Sequence, residues 1–229
     1  MLYYILSLSV KATVIAAASY AGLLCLLTTN YFQTHAVYLH AFQMTGSKDL
    51  SVPEMFGFLR GQVTPFWLQS SGGNRLFAWH VLPIGLYRKH EAKLITEPTG
   101  LAPDITSTTG FSLLRDDPDA RLVIYFHGAG GNVASGYRVP SYKALTAGQP
   151  DKIHVLTFDY RGFGRSSGSP SETGLIEDAI SVVDWALKIA GIHPERILVF
   201  SQSLGTAVNM AVAERFALLP SRSRSPDTS

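Results

Sequence analysis

Cysteine is nearly absent. Cys25 stands alone in 229 residues, which excludes an intrachain disulfide framework and any metal cluster built on several thiolates. Charge is sparse too: Asp, Glu, Lys and Arg make up 16% of the chain and leave a formal net charge of +2. That balance gives no electrostatic argument for a nucleic-acid partner. No Asn-x-Ser/Thr sequon occurs, so glycosylation sites lend no support to a lumenal location. What is plentiful is apolar: 46% of the residues are hydrophobic, enough for a globular core and too many for a disordered chain.

The first thirty residues stand apart. "MLYYILSLSVKATVIAAASYAGLLCLLTT" carries one charged side chain, Lys11, and the run from Ala12 to Thr29 is 18 uncharged residues long. A span needs roughly 20 apolar residues, and a snorkelling Lys11 lets the residues before it extend the run. The segment therefore reads as a membrane anchor over 1–33. A cleaved signal peptide, with Ala16-Ala17-Ala18 as the cleavage site, and a core helix are the alternatives. Lys11 precedes the span and Lys48 is the next basic residue after it. That spacing implies an inside N-terminus and a body on the lumenal or outer side.

Residues 34–65 read as a juxtamembrane linker. In "FWLQSSGGNRLFAWHVLP" two apolar runs flank the turn formers Ser70–Asn74, which predicts a β-hairpin. "RLVIYFHG", "HVLTFDYRG" and "RILVFSQS" are short, wholly apolar runs, the mark of buried strands. Between them lies a segment with Leu175, Ile176, Ala179, Ile180, Val183, Ala186 and Leu187 at helical spacing. Ser169 as N-cap, Pro170 and Glu172 would start it with a capping box. A further helix follows the third strand, with Leu204, Ala207, Val208, Ala211 and Val212 on one face. Strands alternating with helices predict an α/β fold: a mostly parallel sheet with helices on both faces, over 66–217. Residues 218–229 read as a disordered tail.

Two serines sit between small residues. "GRSSG" (Gly164–Gly168) fits G-x-S-x-G letter for letter, with Ser166 at its centre; "SQSLG" (Ser201–Gly205) breaks the pattern at Ser201. A nucleophile elbow needs a strand running into the serine and a helix leaving it, so that the hydroxyl is exposed on a sharp turn. Ser203 has that context and Ser166 does not. The structural alternative for Ser203 is an ordinary helix cap. "FHGAGGN" (Phe126–Asn132) follows the first buried strand, and ester hydrolysis requires N–H groups aimed at the developing oxyanion. The expected donors are the backbone N–H groups of Ala129 and Leu204. His127, on that loop, reads as shaping it. The loop is neither a G-x-G-x-x-G fingerprint nor a P-loop, and the pattern calls for no cofactor and no metal.

"FHGAGGN", "FDYRGFGRSSGSP" and "SQSLGTA", in that order and spacing, resemble the α/β-hydrolase fold. They are most similar to its membrane-anchored monoacylglycerol and lysophospholipid lipases, with the likeness running from about Phe66 to Phe216. The resemblance implies Ser203 as nucleophile, a lipid ester substrate and a body tethered by its N-terminal helix. It implies structural roles for Gly128, Gly130, Gly131, Asp159, Arg161, Gly162, Gly164 and Gly205, with Ser201 replacing the usual glycine. A peptidase is a further possibility on the same fold. The family's acid and histidine follow the nucleophile, whereas every histidine here precedes Ser203. The expectation is therefore of an incomplete hydrolase sheet, lacking its C-terminal strands, with no base for Ser203. A non-catalytic, membrane-bound binding protein is the competing reading.

Overall fold

The computed structural model describes residues 2–217, so the expected tail lies outside the described residues. The chain divides into two compact units, Met1–Leu39 and His40 onward. The first holds α1 (Leu2–Leu27) and α2 (Asn30–Tyr38). By length and composition, Leu6–Leu27 is long and apolar enough to cross a membrane, and none of it is buried. A helix end leaves carbonyls without intrahelical donors. Here the Thr28 and Thr29 hydroxyls donate to Cys25 O at 2.7 Å and Leu26 O at 2.8 Å.

The second unit is built on five strands: β1 (Val63–Gln69), β2 (Arg75–Val81), β3 (Arg121–Phe126), β4 (Ile153–Phe158) and β5 (Ile197–Ser201). The hairpin forms as its turn residues dictate. Trp67 pairs with Phe77 across β1 and β2, and the Ser70 N–H donates to Asn74 O at 2.8 Å. β1 starts three residues before Phe66, and Pro65 is accommodated because β1 is an edge strand. The sheet order is β1-β2-β4-β3-β5. The expected mostly parallel sheet is in fact mixed: β1–β2 and β2–β4 are antiparallel, β4–β3 and β3–β5 parallel. β5 ends the sheet and pairs with β3 alone among the described residues, leaving Leu198 61% and Phe200 38% exposed.

Side chains alternate between faces along each strand. Phe77, Trp79, Val123, Tyr125 and Val155 share one face and cluster with Tyr142 of α5 (Arg138–Ala147). The opposite face receives α6 (Glu172–Lys188), where Phe66 packs on Trp185 at 5.4 Å between ring centroids. Helices thus flank both faces. α6 starts later than expected, with Ser171 as its N-cap: Ser171 Oγ accepts from the Gly174 N–H at 3.1 Å. Glu172 is then the first helical residue, too close to the cap to close a capping box. α3 (Ile84–Leu94) and α4 (Thr109–Arg115) occupy the stretch between β2 and β3.

The expected linker at 34–65 is in part folded into the core. Leu50 and Phe58 are buried, Phe58 meets Trp79 edge-on at 5.9 Å, and Trp79 Nε1 donates to Leu50 O at 2.9 Å. These contacts carry no local periodicity, which is why the stretch read as a linker.

Candidate active site

β5 runs straight into Ser203 and α7 (Leu204–Ala217) leaves it. Ser203 has φ +49°, one of three non-glycine residues with positive φ among those described. Such a residue is strained by about 1 kcal/mol or more and persists only where its surroundings fix it. The surroundings here are backbone. A Cβ on Gly205 would collide with the carbonyl oxygen of Phe126, at the end of β3. Only glycine lets α7 start that close to the sheet. At the other flank Ser201 is tolerated, and its Oγ accepts from Asn209 Nδ2 at 3.3 Å. The Ser203 side chain is exposed, and its hydroxyl has no hydrogen-bond partner among the described residues.

The glycine-rich loop lies against it. A Cβ on Gly128 would sit 3.2 Å from Ser203 Cβ. Gly128, Ala129, Gly130, Gln202 and Ser203 line one cleft of about 200 Å³, together with Met44, Tyr137 and Arg138. Neither the Ala129 nor the Leu204 N–H has an acceptor among the described residues, and both residues are half-buried.

Arg138 organises this loop, and the sequence reading missed it. Its buried guanidinium donates to Gly128 O at 3.0 Å, to Gly130 O at 2.6 Å and to Asn132 O. His127 Nδ1 donates to the same Gly128 O at 2.8 Å. In a planar trans peptide the N–H points opposite to the C=O, so clamping Gly128 O fixes the Ala129 N–H on the other side. An arginine past the loop carries no local signal for this role; only its complete burial gives it away. His127 is fully buried, with Tyr160 and Phe163 against its ring. Burial, then the Arg138 charge, holds its pKa well below the usual imidazole value. His127 therefore supports the loop as a neutral imidazole.

The "DYRGFGRSSG" stretch has a different occupation. Asp159 Oδ1 accepts from the Val133 N–H at 2.7 Å. Burial pushes the Asp159 carboxyl up to about 7, against the opposing pull of Arg138 and the N–H groups of Val133 and Arg165. Arg161 bonds Asp178 Oδ1 through Nε at 3.0 Å and Nη2 at 2.8 Å. Gly162 and Gly164 have φ +76° and +50°, and a Cβ on Gly164 would collide with Asp159. Ser166 Oγ donates to Asp159 O at 2.6 Å and accepts from the Phe77 N–H at 2.9 Å. Gly131, at φ +68°, donates its N–H to Phe42 O at 2.6 Å. The structure thus brings together Ser203, Gly205, Gly128, Ala129, Gly130 and Leu204, and keeps the Ser166 hydroxyl committed elsewhere. A larger cavity of about 540 Å³ beside β1 and α6 shares no lining residue with the Ser203 cleft.

A strand-to-helix serine on a left-handed turn, beside a glycine loop and on a mixed sheet flanked by helices, defines a class. Residues 123–226 match the Alpha/beta hydrolase family. An alpha-beta hydrolase from Vibrio vulnificus shares the fold at TM-score 0.56 and 17% identity, over 81% of this chain and 52% of that one. The stretch from β3 onward is thus an alpha/beta hydrolase domain. Among curated proteins it is 31% identical to lysophosphatidylserine lipase ABHD12 of Xenopus tropicalis, over 86% of this chain and 45% of that one. It is 31% identical to the Danio rerio protein of the same name, over 80% and 42%. Human protein ABHD12B is 33% identical over 75% and 41%. The chain spans less than half the length of these curated relatives.

Proposed function

We propose that Ser203 is the nucleophile of a carboxylic-ester hydrolase acting on acyl lipids of the lysophospholipid or monoacylglycerol class. The observation that carries this reading is Ser203 itself: exposed, left-handed and unpaired between β5 and α7. The relatives named as lysophosphatidylserine lipases support the substrate class. In the reaction, Ser203 Oγ attacks the acyl carbonyl carbon and its proton passes to a base. The carbonyl oxygen, now an oxyanion, is held by the N–H groups of Ala129 and Leu204, with the N-terminus of α7 adding its dipole. Collapse expels the deacylated glycerol or glycerophosphoester alcohol, which takes a proton, and water then releases the fatty acid from Ser203.

The base is the weak point. All seven histidines precede Ser203, and none of those described hydrogen-bonds to it. A serine hydroxyl without a base is a poor nucleophile, so these 229 residues alone turn over slowly or not at all. Added imidazole is the test, since the cleft is open to solvent. Fatty-acid release from lysophosphatidylserine vesicles should exceed that of Ser203→Ala only when imidazole is present. Equal release by both proteins under all conditions would favour the non-catalytic binding reading. The anchor belongs to the same proposal: α1 tethers the body to the membrane, on its lumenal or outer side. Alkaline carbonate should leave the full chain in the membrane pellet; release into the supernatant contradicts the tether.

A further inference from the structure

The mouth of the Ser203 cleft carries protruding apolar side chains that are held in place. Met44 and Tyr137, both lining it, are 73% and 81% exposed, and Phe42, two residues before Met44, is 63% exposed. Large apolar side chains exposed together at the rim of a pocket mark a surface that is covered in use. Their presentation is built into the fold. Met44 sits at φ +57°, a strained position for a non-glycine residue. The segment around it is pinned from below. Gly131 N–H donates to Phe42 O at 2.6 Å. Asn132 Nδ2 donates to Gln43 O at 3.0 Å and to Thr45 Oγ1 at 3.0 Å, and Ser135 Oγ to Gln43 O at 2.8 Å. The loop that carries the expected oxyanion donor therefore also fixes this apolar edge.

Charge identifies what covers it. No Asp or Glu occurs from Met1 to Lys48, nor from Ala120 to Pro150. Met44 and residues between Gly128 and Arg138 line the cleft without a carboxylate, and Lys48 and Lys143, both exposed, lie in the same two stretches. A carboxylate-free, weakly basic edge with protruding Met, Phe and Tyr matches the boundary between lipid headgroups and acyl chains, where aromatic and apolar side chains insert beneath phosphates.

We propose that Phe42, Met44 and Tyr137 dock the mouth of the Ser203 cleft onto a lipid bilayer, so that an acyl lipid enters the cleft directly from the membrane. This is a contact separate from α1. It deepens the acyl-lipid reading of the site and rests on it.

The test uses the full chain reconstituted in phosphatidylcholine vesicles, with and without phosphatidylserine. In a Cys25→Ser background a polarity-sensitive fluorophore is attached at Met44→Cys or at Tyr137→Cys. The reference is Ile189→Cys, 52% exposed beside the larger cavity. Headgroup-level doxyl lipids should quench the fluorophore at positions 44 and 137 several-fold more than at 189, with emission shifted to shorter wavelength. Phosphatidylserine should strengthen both effects. Quenching no greater than at 189 overturns the proposal. A blue shift without lipid quenching also overturns it, because it assigns the surface to a second copy or another protein. Two labelled positions keep the test decisive if one substitution disturbs folding. No turnover is read, so its failure and that of the ester-hydrolase reading are separately visible.

Discussion

Ser166 and Ser203 differ in what their hydroxyls are used for. Ser166 extends the pairing between β2 and the end of β4, donating to Asp159 O and accepting from Phe77 N–H. Ser203 makes no such bond and stands exposed on a left-handed turn. The small residues around them also arise from separate causes. Gly162 and Gly164 permit positive φ over a buried Asp159, whereas Gly205 permits α7 to start against the Phe126 carbonyl. One run of letters, glycine about serine, thus arises from two kinds of crowding, and only the second leaves the hydroxyl free.

Gly205→Ala and Gly164→Ala should have the largest effects. Each puts a methyl into atoms that cannot retreat, a strand carbonyl in one case and a buried carboxyl in the other. Each should lose about 3 kcal/mol or more, read as loss of a cooperative thermal transition in detergent.

The pH dependence comes next, and four buried groups set it. Burial lowers His80 to about 4 and holds His127 and His154 well below their usual value. On unfolding below about pH 6.5 these three imidazoles take up protons, so stability is lost as pH falls. Asp159, raised to about 7, acts oppositely: its contribution is present at low pH and is lost as pH rises through 7. Three sites that take up protons on unfolding against one that releases a proton make the fold less stable as pH falls from about 6.5 toward 4. Asp159→Asn should steepen that dependence by about 1.4 kcal/mol per pH unit. Denaturant midpoints across this range check both.

Ser166→Ala leaves the buried Phe77 N–H without its acceptor and should cost about 1–3 kcal/mol, with Ser203 reactivity kept. The smallest effect is of opposite sign. Ser203→Gly relieves a left-handed non-glycine residue and should stabilise by about 1 kcal/mol while abolishing reaction at that position. A midpoint that falls in Ser203→Gly would show that the hydroxyl is structural after all.

The strand runs, the hairpin turn and the elbow at Ser203 were legible because each is written in adjacent residues: an apolar run, a turn cluster, a strand joined to a helix. Other features were not, because they depend on contacts distant in sequence. Leu50 and Phe58 became core only through Trp79. The mixed sheet follows from β2 lying beside β4, which no local pattern encodes. Arg138 acquired its role by folding back onto carbonyls six to ten residues earlier. The N-cap of α6 moved from Ser169 to Ser171 because Ser169 and Pro170 pack against Gly162.

The most direct measurement is covalent. The full chain, with imidazole present as the base, is treated with a fluorophosphonate and the adduct is located by tandem mass spectrometry. The account predicts one adduct on Ser203, dependent on imidazole and absent from Ser203→Ala, with Ser166 unmodified. An adduct on Ser166, or labelling that persists in Ser203→Ala, contradicts it.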